Sequence, residues 1–238
     1  MLEIIAQSLE DALTIERMGG NRIELIQSLG EGGLTPSVGL VKAVLSAVSI
    51  PVNVMIRPHS RHFRYSPEDL EIMREDVLTM EKLGVKHVVL GILDEDGLPD
   101  MGAMERLLKD TQLTVTFHRA IDESADLRAS LERLKSLSAI THVLTSGGEG
   151  KAEDHLDVLK NLIRNSGDLR IIVASGIHAG NLSAIRNELE YALSGDDPNG
   201  GHFDLHVGTG VRSSNVNHPV HAEEVEHLVA VYRKECCT

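Results

Sequence analysis

Short apolar runs recur along this chain about every thirty residues, and a helix-like pattern of period 3.6 follows each one. The runs predict strands near residues 2–7, 22–27, 52–57, 87–93, 113–119, 141–146, 170–175 and 203–208. Within them one parity is apolar: Leu2 and Ile4, Ile23 and Leu25, Val52, Val54 and Ile56, Val115 and Phe117, Phe203, Leu205 and Val207. The other parity holds Glu3, Glu24, Asn53, Arg57, Thr116, His118, Asp204 and His206. Thr35 with Pro36 and Ser66 with Pro67 read as N-caps before a first-turn proline. Gly19, Gly84 and Gly167 fall where helices should stop.

Eight strand–helix units predict an α/β fold, a single TIM-type (β/α)8 barrel spanning residues 1–238. A Gly- and Asp-rich loop insertion is expected near residues 194–202. A doubly wound open sheet is the alternative. It would normally carry a glycine-rich turn after its first strand, and Gln7-Ser-Leu-Glu10 has none.

In a closed barrel the polar parity points inward. Glu3, Glu24, Arg57 and His206 then share one wall of adjacent strands, with His118 across from them. Buried charges cost several kcal/mol each unless paired. Two readings stay open: a structural ion network low in the barrel, or a ligand site. Glu3 comes early in its strand and suits the first. Arg57, His118 and His206 lie towards strand C-termini, where barrel active sites are built.

The stretch 114–122 ends in His118, Arg119 and Asp122 at the turn from strand to loop. As catalytic candidates, His118 is the general acid/base, with Glu24 or Glu3 tuning or replacing it. Arg57, Arg119, Asp122 and His206 are candidates for holding an anion. Ser146 and Gly147 after strand six, and Ser175 and Gly176 after strand seven, open the backbone to a ligand and suit a phosphate. Arg61, Arg64, His59 and His62 add a basic cluster to the loop after Arg57.

Composition narrows the partners. The 238 residues carry a net charge of -13 and no long basic run, so nucleic acid is not expected. There is no Trp, with three Phe and three Tyr, which leaves few platforms for stacking bases. No apolar run approaches the roughly 18 residues of a membrane span. The residues after Met1 already alternate as a strand, so no signal peptide is expected. The only cysteines, Cys236 and Cys237, are adjacent and cannot staple a fold, which suits the cytoplasm. No Walker loop, His-Glu-x-x-His or Cys-x-x-Cys occurs, so no metal or cofactor is assigned.

Five short motifs occur together: Glu31-Gly-Gly-Leu-Thr-Pro-Ser37, Ile56-Arg-Pro58, Tyr65-Ser66, Thr116-Phe-His-Arg-Ala120 with Asp122, and Leu144-Thr-Ser-Gly-Gly148. Together they resemble the CutC family from Met1 to about Val211. The resemblance implies a cytoplasmic TIM-type barrel, a homodimer, and a role in copper homeostasis. Copper is implied by the resemblance alone. Family members proposed to bind copper carry cysteines near the ends of the first two strands. This chain has Ile4-Ile-Ala-Gln7 and Leu25-Ile-Gln27 there, and soft Cu(I) prefers sulfur ligands. The residues by themselves therefore argue against direct copper binding. They point instead to a barrel enzyme of lyase, isomerase or hydrolase type acting on a small anionic or phosphorylated metabolite, or to a binding module without chemistry.

Overall fold

Charges on one parity of a strand are tolerable only where partners enclose them, and this chain meets that condition by closing its sheet. A computed structural model describes residues 1–193 and 203–235. The expected insertion at 194–202 and both cysteines lie outside the described residues. Eight parallel strands pair in chain order and β8 closes on β1. They are β1 (Leu2–Ala6), β2 (Arg22–Leu25), β3 (Val52–Met55), β4 (His87–Leu90), β5 (Thr114–Phe117), β6 (Ile140–Thr145), β7 (Arg170–Val173) and β8 (Phe203–Val207). The outer ring is α1 (Leu9–Arg17), α2 (Val38–Ala47), α3 (Pro67–Lys82), α4 (Met101–Leu108), α5 (Leu127–Leu134), α6 (Leu156–Arg164), α7 (Leu182–Leu193) and α8 (Ala222–Glu235). The fold is a TIM-type (β/α)8 barrel, and the open sheet is excluded. Among the described residues no helix is long and apolar enough to cross a membrane.

The apolar parity faces the helices. Leu2, Ile4, Ile23, Leu25, Val54, Val115 and Phe117 are buried in one aliphatic core between barrel and helix ring. Most strands stop before the sequence pattern does. Arg57, His118 and Ser146 lie just past the last residues of β3, β5 and β6 and so belong to the loops that form the barrel mouth.

One helix start differs from expectation. Ser66 caps α3 as predicted, in a reciprocal capping box with Asp69. The cap of α2 is Ser37, whose hydroxyl accepts from the Leu40 N–H, and not Thr35. Thr35 is drawn into an extended segment by the backbone pairing of Gln27 with Leu34. Its N–H donates to the Arg57 carbonyl (3.0 Å), and its hydroxyl accepts the Arg57 N–H (2.9 Å). The residue expected to start a helix therefore clamps the end of β3. Gly19 and Gly84 follow α1 and α3 with φ of +88° and +91°, the left-handed stop that glycine allows without strain.

Register sets the floor of the barrel interior. Glu3 lies level with Arg22 on β2 and with His206 on β8, while Glu24 lies level with Asn53. Arg22 bridges Glu3 (2.6 Å) and Asp204 (2.9 Å), and Arg170 also binds Asp204 (2.6 Å). The second Glu3 oxygen accepts from His206 (2.8 Å). Burial by itself would raise both acids. The cations beside them outweigh it and hold Glu3 and Asp204 below the usual carboxylate range. His87 completes the floor between Thr114 and Thr116, at 2.7 Å from each hydroxyl. Burial, helped by His142, pushes its pKa down to about 3.

Removing the cation that joins the two acids tests this network. Arg22→Met leaves Glu3 without its guanidinium and Asp204 short of one, both buried. Urea unfolding should show a loss of about 3–5 kcal/mol. A loss under about 1 kcal/mol would mean that the floor network contributes little to the fold.

Candidate functional site

Above the floor the interior residues change from paired to unpaired. At the C-terminal end of the strands lies a cavity of about 260 Å³. Glu24, Arg57, His118, Arg119, Ser175, Gly176 and His206 all line it. These are seven of the residues singled out from sequence, and they come from β2, β3, β5, β7 and β8 or the loops just beyond them. Ile5, Met55, Phe63, Leu144 and Ile177 supply an apolar side.

Arg57 is buried at 7% exposure. Its Nη1 donates to the Glu31 and Gly33 carbonyls (3.1 and 3.4 Å), and its Nη2 to that of Ser60 (3.4 Å). Its Nε has no partner. The guanidinium stacks on the Phe63 ring, 4.5 Å from the centroid. Among the described residues no carboxylate pairs with it. The half-buried Tyr65 hydroxyl lies beside the guanidinium, and burial pushes its pKa up to about 12 against the charge of Arg57 and a hydrogen bond with it.

His118 follows β5 directly and is 3% exposed. Its Nδ1 accepts the Ala120 N–H (3.2 Å), so the ring hydrogen resides on Nε2. That Nε2 is buried and unpartnered. Burial, then the positive charges of Arg57 and Arg119, press the His118 pKa down to about 3. The ring is thus a neutral hydrogen-bond donor at physiological pH. Gly91, at the end of β4, makes room for it, since a Cβ there would lie 2.5 Å from Nδ1.

Glu24 is the other unsatisfied group. Its Oε2 stands 3.5 Å from His206 Nε2, and its Oε1 has no partner. Burial raises its pKa to about 7, with His206 pulling it down and Glu3 pushing it further up. His206 moves the other way. Burial disfavours its charge, but Glu24 and Glu3 on either side outweigh that and raise it. An imidazole between two carboxylates is the link from the floor to the mouth.

The remaining candidates, Glu3, Asp122, Ser146 and Gly147, are held elsewhere. Glu3 belongs to the floor. Asp122 accepts the Ser146 N–H (3.0 Å) and hydroxyl (2.8 Å) and the Thr145 hydroxyl, tying the β5 and β6 loops together. Arg119 is anchored by the same pair, 2.8 Å from Asp122 and 2.9 Å from Ser146. Gly147 is pressed against α6, where an added Cβ would meet His155 at 2.9 Å. Arg61 and Arg64 are exposed, and His59 turns to Asp69 at 3.3 Å. Of the basic loop, only Arg57 enters the cavity.

Phe63, Tyr65, Gly91 and Thr35 were not picked out as site residues. Gly91 could have been found by parity, because it continues the inward series of His87 and Val89. Phe63 and Thr35 give no such signal, because loops bring them to Arg57.

Among the described residues no group of three or more His, Cys, Asp or Glu side chains is arranged to hold a metal ion. Among the residues lining the mouth the one sulfur is the Met55 thioether, a single soft donor for an ion that favours several.

Against known proteins, a sequence model of the CutC family matches residues 1–191. A CutC family protein of Enterobacter sp. strain 638 is 39% identical over 188 residues, covering 79% of this chain and 76% of the relative. Its counterpart in Erwinia tasmaniensis is 38% identical over 182 residues, covering 76% and 72%. A solved structure from Streptococcus agalactiae, described as a candidate copper homeostasis protein CutC, superposes with a TM-score of 0.77 at 30% identity. It covers 91% of this chain and 99% of that one. Phosphoribosyl anthranilate isomerase from Thermococcus kodakaraensis shares the fold, with a TM-score of 0.60 at 17% identity over 98% of each chain.

The charge state of His118 is open to direct measurement. Nitrogen-15 spectra should show it neutral, with the proton on Nε2, titrating only near pH 3. A ring held below its unfolded value of 6.5 lends stability at neutral pH that is lost as the pH falls towards 3. A His118 resonance titrating near 6.5 would show that the ring is not desolvated.

Proposed function

The chain belongs to the CutC family, and on that premise we propose that it is an enzyme acting on a small anionic metabolite at the barrel mouth. Arg57 carries this reading. A buried guanidinium with carbonyl and phenol partners, no carboxylate and a free Nε is costly unless a ligand supplies the missing negative charge. Phe63 and the Thr35 clamp hold it in place beforehand, so little ordering is left for binding.

The rest of the cavity limits the ligand. Its volume of about 260 Å³ fits a small molecule and not a polymer. Ile5, Met55 and Leu144 form an apolar side for a carbon skeleton, while Glu24 and His118 offer an acid and a donor. Ser175 sits in the left-handed region at φ +78°, beside Gly176 at +73°. Such strain, about 1–3 kcal/mol for a non-glycine residue, tends to gather at functional sites. The position, after β7, is a common phosphate position in barrels. The reaction is of lyase, isomerase or hydrolase type. The cytoplasm is the compartment we propose, since a chain with two adjacent cysteines has no use for an oxidising one.

Copper handling is the second reading, favoured by the description of the Streptococcus agalactiae relative. In it Cu(I) is cargo, and the mouth offers that ion one thioether.

A thermal-shift screen of carboxylates, phosphate monoesters and Cu(I) separates the two. An anion at about a hundred times its dissociation constant should add roughly 2.7 kcal/mol to stability. Arg57→Ala should lose that shift while keeping its circular dichroism spectrum. Stabilisation by Cu(I) alone, or an anion shift that survives Arg57→Ala, would overturn the enzyme reading.

A further inference from the structure

Three polar atoms of residues lining the cavity are buried and without partners: Arg57 Nε, Glu24 Oε1 on β2 and His118 Nε2 just beyond β5. Strands β2 and β5 are three places apart in the eight-stranded ring, so Glu24 and His118 line different sides of the cavity. Their chemistry is complementary. His118 Nδ1 is occupied by the Ala120 N–H, so Nε2 carries a hydrogen and has no lone pair with which to take a proton. Glu24 has a free carboxyl oxygen and nothing that holds it permanently ionised.

From this juxtaposition we propose that the mouth performs proton transfer at carbon, with Glu24 as the base and His118 as the hydrogen-bond donor to the substrate's carbonyl oxygen. The inference rests on the reading that Arg57 binds a small anion there. The substrate class is a small carboxylate or phosphate ester that carries an aldehyde or ketone with a hydroxyl-bearing C–H carbon beside it. Glu24 takes the proton from that carbon. The C–H electron pair becomes the new C=C bond, and the carbonyl π pair moves onto oxygen, where His118 Nε2–H meets the developing charge. The proton of the neighbouring hydroxyl then passes to the first oxygen, its O–H pair becomes the new C=O bond, and the C=C pair takes the proton back from Glu24 on the former carbonyl carbon, which completes an isomerisation with no oxidant or reductant. In this scheme His118 remains a hydrogen-bond donor throughout and Glu24 takes the proton, whereas the sequence suggested His118 as the general acid/base with Glu24 or Glu3 tuning or replacing it.

The charged groups facing Glu24 suit this role. His206 from β8 stands 3.5 Å away and is fixed by Glu3 from β1, while Arg22 lies below on Glu24's own strand. Across the mouth are Arg57 beyond β3 and His118. Asn53, level with Glu24 on β3, is neutral and bonds to Glu3. Burial and this set keep the Glu24 pKa at about 7, close to where a general acid/base works best. His206 and Glu3 are positioning residues in this scheme, because they act through Glu24.

Calorimetry on the full chain tests the assignment. Oxalate and 2-phosphoglycolate mimic a planar enediolate, and both are fully ionised at about pH 8, so any proton taken up goes to the protein. Titrations in two buffers of different ionisation enthalpy should show uptake of about one proton per site, fading by about pH 5.5, where Glu24 is already protonated. The mimics should bind about a hundredfold tighter than inorganic phosphate. Glu24→Gln should still bind them without proton uptake. Arg57-dependent binding by the wild-type chain with no uptake, or with no preference over phosphate, would overturn proton transfer and leave the anion site standing. If none of the three anions binds in an Arg57-dependent way, the anion reading falls as well.

Discussion

The bridge from Arg22 to Glu3 and Asp204 is the interaction on which the rest of this barrel depends. A closed barrel that carries acids on its inward parity must neutralise them inside, out of reach of water. Arg22 joins β1 to β8 through both acids, and Arg170 and His206 complete the pairing. Because Glu3 is ionised and fully bonded, His206 beside it is drawn towards its charged form. His206 in turn faces Glu24, which stays poised because burial pushes one way and the imidazole the other. The protonation state at the mouth is thus set from the floor, through three side chains on three strands.

Polar groups are more fully paired on the floor than at the mouth, although Arg22 Nη2 lacks a partner. On the floor the carboxylate oxygens of Glu3 and Asp204 have partners, and His87 has both ring nitrogens bonded. At the mouth Glu24, Arg57 and His118 each leave a buried atom unpaired. Deserted atoms of this kind cost roughly 1–3 kcal/mol each, so three around one cavity work against stability. Polar groups with that deficit are the ones a ligand can complete. The apolar side made by Ile5 and Met55 strengthens the case, since it excludes water from the same space and raises the value of each polar contact.

A near-opposite arrangement holds one loop away. Asp122 and Ser146 carry as much polar chemistry as Glu24 and His118, yet they bind each other and Thr145, and so brace the β5 and β6 loops. Arg119 is shared between this brace and the cavity. Residue type and position near a strand end did not separate the two sets. Hydrogen-bond partners did, and these depend on which loops fold over which strand ends.

The barrel was legible in the sequence because strand parity and the strand–helix repeat are local properties, written in residues two and about four apart. Parity alone placed Glu24, Arg57, His118 and His206 inside, and the Ser66 cap was equally local. The Thr35 clamp was not, because a pairing between Gln27 and Leu34 overrides the local cap signal. Nor could sequence assign charge states: His118 as a donor and Glu24 near neutrality follow from burial, from the Ala120 N–H, and from neighbours on other strands. The chain by itself determined the closed barrel and the list of inward polar groups. Only the tertiary structure decided which of them are bonded and which are left unpaired, because desolvation and Coulombic coupling act through distances in space that no spacing along the chain records.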